Sequence, residues 1–249
     1  MRYKLKIEYD GTRYYGWQKQ ENLPTIQGAI EQAIFKFCAE KTEVYGSGRT
    51  DKGVHAFGQI AHVDIEKNTT TETIKMAINA HLRDEQIVIL DVEKVAEDFH
   101  ARFDAKQRFY VYKILNRSVS PALDENRVWW IPKKLNIKKM QEASKFLLGK
   151  HDFSSFRATE CQAQSPIRTL DSIAFEQKND IIIMKCNALS FLHHQVRNII
   201  GSLVEVGIGR KNTDWIKEVL EKKDRKLAGI TAPACGLYFE KIEYKKMLV

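Results

Sequence analysis

The chain opens on a strict alternation, with Tyr3, Leu5, Ile7 and Tyr9 on one side and Lys4, Lys6 and Glu8 on the other. A period of two predicts a half-exposed strand over 2–9. Asp10-Gly11 then turns the chain. Beyond Pro24 the period lengthens: Ile26, Ala29, Ile30, Ala33, Ile34, Phe37 and Cys38 recur at helical spacing, with Thr25 placed as N-cap. A strand near Val44, a polar loop and a second alternation from Gln59 to Ile65 follow. Thr71 is placed to cap a helix carrying Ile74, Ala77, Ile78 and Leu82, and 86–95 reads as a strand.

The second half continues in the same style without a detectable repeat. Within Phe99–Ile114 a basic segment passes into a strand, with Arg108, Tyr110 and Tyr112 on one face. Asn136 is placed to cap a helix that Gly149 ends, and His151–Arg157 reads as a polar loop. The runs 167–175 and 180–186 look like paired strands. An apolar helix over 191–206, a helix from Thr213 and a closing strand over 236–244 complete the chain. Helix and strand succeed one another throughout, which predicts an α+β or mixed α/β fold. A soft boundary through Ser118-Val119-Ser120-Pro121 divides it into halves of 1–118 and 119–249; the order of elements leaves strand directions open.

Composition narrows the class. At 249 residues, 43% hydrophobic and 29% charged, the chain suits one large or two smaller globular domains. No apolar run approaches the roughly 20 residues that cross a bilayer, and the start leads into a strand instead of a signal-peptide core, so the expected compartment is the cytoplasm. Cys38, Cys161, Cys186 and Cys235 lack metal-ligand spacing and read as reduced, mostly buried thiols. The net charge of +8 favours a polyanionic partner.

Four stretches carry candidate chemistry. The loop Gly46-Ser47-Gly48-Arg49-Thr50-Asp51-Lys52-Gly53-Val54-His55-Ala56 sets ionisable groups among three glycines; it is either a cradle for a reactive carboxylate or a hairpin connection whose Asp and Gly serve the turn. The segment Thr12–Gln20 mixes aromatics, amides and bases, and suits either stacking on bases or plugging the core. In the strand at Arg108–Tyr112, an exposed ring could stack on a flipped base, whereas a buried one is sheet packing. Arg197 shares a helix face with Ile200, Gly201 and Val204. There it either needs an anion, for which Asp51 is one candidate, or snorkels to water.

Read together, these segments resemble the TruA family of tRNA pseudouridine synthases. The matching pieces are Tyr9-Asp10-Gly11 with Gly16-Trp17-Gln18, Gly48-Arg49-Thr50-Asp51-x-Gly53-Val54-His55-Ala56, Phe99-His100-Ala101-Arg102-Phe103, Arg108-x-Tyr110-x-Tyr112, Asp152-Phe153-x-Ser155-Phe156, Val196-Arg197-Asn198-Ile199-x-Gly201 and Gly236-Leu237-Tyr238. They span nearly the whole chain in the family's order. Leu82-Arg83 and Gly229-Ile230 depart from the family's pattern.

The resemblance implies that Asp51, in the N-terminal half, is the catalytic aspartate, that Tyr110 packs on the target base, and that Arg197, in the C-terminal half, pairs with the aspartate. It implies an α+β fold of two ferredoxin-like (RNP-like) halves, with mixed or antiparallel sheets flanking a central basic cleft. It further implies a homodimer, no metal or organic cofactor, and tRNA as substrate, with uridines 38–40 of the anticodon stem-loop as targets. Arg49 and the Lys/Arg surface are then suited to phosphates, and His55 to orienting the loop. The rival from another class is a non-catalytic RNA-binding protein, against which Asp51 speaks because a carboxylate repels phosphate. A metal-dependent hydrolase fits less well: His193 and His194 are neighbours, which diverge if both ride on a helix.

Overall fold

A computed structural model describes residues 1–244. Its contacts divide the chain into two compact units: Met1–Lys106 together with the closing strand, and Gln107–Leu237.

In the first unit, strand β1 (Arg2–Tyr9) buries Tyr3, Leu5, Ile7 and Tyr9, as the alternation requires. Helix α1 (Ile26–Cys38) starts where Thr25 accepts a hydrogen bond from the Gly28 N–H. Strands β2 (Tyr45–Gly46) and β3 (His55–Asp64) enclose the polar loop. Helix α2 (Thr71–His81) is capped by Thr70, one residue ahead of the expected Thr71, because it is the Thr70 hydroxyl that reaches the Thr73 N–H. Strand β4 (Ile87–Lys94) closes a βαββαβ succession. β4 and β3 flank β1, and β2 pairs with β3, all antiparallel. That order, β4-β1-β3-β2, is the ferredoxin-like arrangement. α2 packs against β4 and α1 against α2.

The second unit is also built on an antiparallel sheet, and its first, second and third long strands follow the same 1-3-2 order as β1-β3-β2. Strand β5 (Ala105–Leu115) pairs with β9 (Ile181–Ala188), β9 with β8 (Ile167–Lys178), and β8 with β7 (Gly149–Asp152). The short β6 (Trp129–Trp130) pairs parallel to β5. β8 and β9 form a hairpin turning at Asn179, which holds φ +53, so β9 lies beside β8 and not across the unit from it. Helix α3 (Ile137–Ser144) is capped by Asn136 as expected. Helix α4 (Gln195–Gly207) is buried along most of its length, and α5 (Trp215–Lys222) buries Ile216, Val219 and Leu220.

Two expectations change here. The 151–157 stretch is no open loop: it contributes to β7, and Phe153, Ser155 and Phe156 are fully buried, because the Ser155 hydroxyl donates to the Val219 carbonyl and so loses nothing on desolvation. The cysteines are all free, yet only Cys186 is buried; the other three are half-exposed. The strand β10 (Leu237–Tyr244) runs parallel to β3, pairing Tyr238 with His55 and Phe239 with Ala56. No described helix is long and apolar enough to cross a membrane.

Candidate active site

The loop between β2 and β3 is pinned along its length. Ser47 donates to Gln59 Oε1 at 2.5 Å, and Gln59 Nε2 donates to the Gly48 carbonyl at 2.9 Å. Gln59 is fully buried, so both ends of its amide are committed to the loop. The hydroxyls of Tyr9 and Thr50 lie 2.8 Å apart, and burial raises the Tyr9 phenol well above its ordinary pKa. The Val54 N–H donates to the Asp51 carbonyl, closing a turn immediately after the carboxylate.

The aromatic–amide segment forms the other wall. The Trp17 N–H donates to the Thr50 carbonyl at 3.0 Å, and the Trp17 indole lies so close to Gly46 that a methyl there would sit 2.5 Å from the ring. Trp17 and Tyr14 are both 2% exposed, which decides for these two between stacking on bases and plugging the core. Tyr15 is different: it is exposed, with the Lys52 ammonium 3.9 Å from its ring centroid. Arg49 donates from Nε to Gln18 Oε1 at 2.9 Å. The loop thus lies against residues 15–18 at Arg49, Thr50 and Lys52, the positions around Asp51.

His55 terminates the loop. Its Nδ1 accepts from the Gly11 N–H at 3.1 Å, with Asp10 Oδ1 3.2 Å from the same nitrogen. Its ring stacks on Tyr238, which stacks in turn on Phe57, both at 4.7 Å between centroids. The Tyr9-Asp10-Gly11 and Gly236-Leu237-Tyr238 pieces therefore meet at this histidine, one by hydrogen bond and one by ring contact.

In the second unit, Arg197 rides on the first turn of α4 and donates from Nε to the Ala232 carbonyl at 2.8 Å, while the Ala232 N–H donates back to the Arg197 carbonyl. A backbone carbonyl thus satisfies one edge of the guanidinium, a partner that helical spacing could not supply. The 229–232 segment is itself fastened to α4. Arg225 donates to the Gly229 carbonyl, Asn198 Oδ1 and Thr231 Oγ1, and Thr231 donates to Asn198 at 2.7 Å. Gly201 permits the approach, since a Cβ there would lie 1.9 Å from the Ile230 carbonyl oxygen. Sequence reasoning singled out Arg197 and missed Arg225 and Thr231, which carry no local signature.

Tyr110 lies on β5, 8% exposed, with its ring edge-on to Phe191 at 5.1 Å. Arg108 is buried beside it and donates to the Leu189 carbonyl. Tyr112 is fully buried and donates to the Pro233 carbonyl. His193 and His194 precede α4 instead of riding on it; His194 holds φ +62 and the two rings lie 4.0 Å apart. The expected divergence of neighbours on a helix therefore does not apply, because a left-handed residue folds the rings together.

With the fold and these side chains in place, comparisons with known proteins fix the class. A family profile described as tRNA pseudouridine synthase matches residues 6–104 and 143–245. Asp51, Arg49 and Arg197 fall inside the matched residues; Tyr110 falls between them. Proteins named tRNA pseudouridine synthase A are 51% identical in Rhodospirillum rubrum, over 98% of this chain and 88% of that one, and 52% identical in Bartonella henselae, over 98% and 99%. A solved Cbf5-Nop10-Gar1 complex overlaps 81% of this chain and 45% of its own at 12% identity and TM-score 0.35. The chain belongs to the tRNA pseudouridine synthase family, isomerases that convert uridine to pseudouridine in tRNA.

Proposed function

We propose that this isomerase acts on uridines 38–40 of the tRNA anticodon stem-loop, with Asp51 as the nucleophile or base. The reaction breaks the bond from N1 to C1′ and forms one from C5 to C1′; C5 loses a proton and N1 gains one, so nothing is added or removed overall. A carboxylate suits it because it can add covalently and leave again, or move a proton. The observation that carries the reading is the loop itself: hydrogen bonds to Thr50 and Gly48, and the turn at Asp51, hold the backbone about Asp51 in one conformation. Such prior ordering is what a reacting group needs.

Desolvation disfavours an ionised aspartate, and a guanidinium opposes that shift. Arg197 is the proposed partner, already oriented at Nε by Ala232. Tyr110 is the proposed stacking ring for the extruded uracil on the strength of the motif resemblance; at 8% exposed, it must be uncovered from its packing against Phe191 to do so. Arg49 is proposed to contact backbone phosphate. Support for a polyanionic substrate comes from charge: residues 107–237 hold 22 Lys and Arg against 13 Asp and Glu, so the whole positive excess of the chain falls there. The motif resemblance extends the proposal to a homodimer working in the cytoplasm; a monomer mass on gel filtration would exclude the dimer.

The test is release of tritium from tRNA labelled at C5 of uracil, without added metal or nucleotide. Asp51→Asn is expected to abolish release while retaining tRNA binding; turnover near the parent rate would overturn the assignment. A non-catalytic RNA-binding protein would release no label in either form. Transcripts with cytidine at 38, 39 or 40 locate the target.

A further inference from the structure

Arg49 is held by a directional chain of two amides, Gln27 buried and Gln18 half-buried, and its direction can be derived from one end. The Glu31 carboxylate only accepts hydrogen bonds. It takes the Val44 N–H at 3.1 Å and Gln27 Nε2 at 2.9 Å on Oε1, and the Lys19 ammonium at 2.8 Å on Oε2. Gln27, 3% exposed, must therefore turn its NH2 toward Glu31 and its oxygen away. That oxygen accepts from the Lys19 N–H and from Gln18 Nε2, both at 2.9 Å. Gln18 must then turn its own oxygen outward, where it accepts from Arg49 Nε. Each amide has one allowed orientation, set by a carboxylate three side chains from Arg49.

We infer that Gln18 is a positioning residue for Arg49. With Nε occupied, the plane of the guanidinium is fixed, and its two terminal nitrogens make no other hydrogen bond or ion pair among the described residues. They are presented together from an exposed side chain two residues before Asp51. A planar pair of donors at fixed orientation matches two oxygens of one phosphate, the fork geometry in which arginine exceeds lysine. Gln18 lowers the conformational cost of that contact, since the arginine is ordered before substrate arrives. The inference rests on the proposed phosphate role of Arg49.

The experiment is a double-mutant cycle on tRNA affinity and on kcat/KM for tritium release, using Gln18→Met, Arg49→Met and both together. Gln18→Met keeps length and removes both polar ends. It is expected to weaken tRNA binding about tenfold, the order of a hydrogen bond to a charged group. It should also reduce the slope of log Kd against log salt by roughly 0.7–0.9, as for one lost phosphate. In the Arg49→Met background, Gln18→Met should add less than about twofold. Gln18→Glu should not rescue, because a carboxylate cannot donate to Gln27. Equal, additive losses in both backgrounds would overturn the inference and leave Gln18 as a fold residue. Loss with Arg49→Met but none with Gln18→Met would overturn it while sparing the role of Arg49. If Arg49→Met itself changed nothing, the phosphate role would fall first.

Discussion

Replacing Gly16 by alanine should disturb the backbone at Asp51 directly. Gly16 holds φ +96, where an L side chain is strained by about 1–3 kcal/mol. Its added Cβ would lie 2.6 Å from the Thr50 carbonyl oxygen, 3.2 Å from the Asp51 carbonyl carbon and 3.3 Å from the Lys52 nitrogen. All three are backbone atoms, so no side-chain rotation relieves the contact. Reaching ordinary contact near 3.4 Å needs a shift of about 0.8 Å at the Thr50–Asp51 peptide. Overpacking of that kind costs about 1–3 kcal/mol. The Trp17–Thr50 hydrogen bond at 3.0 Å lies in the path of the shift and adds about 1 kcal/mol if broken.

The total, about 3–7 kcal/mol, is a large part of the roughly 5–15 kcal/mol that holds a domain folded. Gly209 supplies the control: it holds φ +79 with nothing within 4 Å of its would-be Cβ, so its alanine variant carries strain alone. Urea unfolding of both variants, with tritium release measured where each is folded, separates the two effects. Gly16→Ala should be less stable than Gly209→Ala by about 2–4 kcal/mol, the sum of the contact and hydrogen-bond costs. It should also lose about a hundredfold in kcat/KM, the scale of a 1 Å misplacement. If the two variants matched in stability and activity, the contact of residue 16 with the loop would not be what holds Asp51.

Two further outcomes follow from one buried and one half-buried polar group. His62 is buried, accepts the Ala101 N–H on Nδ1 and stacks on Tyr45; burial first, then the nearby His100 and Arg2, push its pKa down to about 4. The unfolded chain binds that proton near pH 6.5 and the folded chain does not, so His62 makes stability fall as pH drops from about 6.5 to about 4, by at most about 3 kcal/mol. Urea midpoints at pH 7.5 and 5 should show a fall that His62→Gln reduces; an unchanged pH dependence in the variant would refute it. Arg225→Met removes the donor to three acceptors, at Gly229, Asn198 and Thr231, of which Asn198 keeps the Thr231 hydroxyl, and should cost about 2–4 kcal/mol by urea unfolding, with reduced turnover through Arg197. Arg225→Lys should not restore either, lacking the fork that spans these partners. A Met variant as stable as the parent would show that the network does not fasten 229–232 to α4.

How far the site could be read from the chain depended on the range of the interactions involved. Thr25 and Asn136 cap the expected helices because a cap bonds to an amide only three residues on. Thr70 displaced Thr71 because either hydroxyl suits the motif and the backbone chose. The loop around Asp51 was visible as a concentration of glycines and charges. Its walls were not: Gln59, Trp17 and Gln18 reach it across separations that leave no periodic trace.

Local pattern determined the alternating strands, the amphipathic helices and the caps at Thr25 and Asn136, because each depends on neighbours within about one or two turns. The candidate side chains were marked out by motif pieces spread along the chain. Tertiary structure decided the rest. It laid the closing strand along β3, where Tyr238 meets His55. It also chose a backbone carbonyl, Ala232, as the partner of Arg197 Nε. Hydrogen bonding obliges each buried donor to find an acceptor, and which acceptor arrives is settled only when distant segments pack.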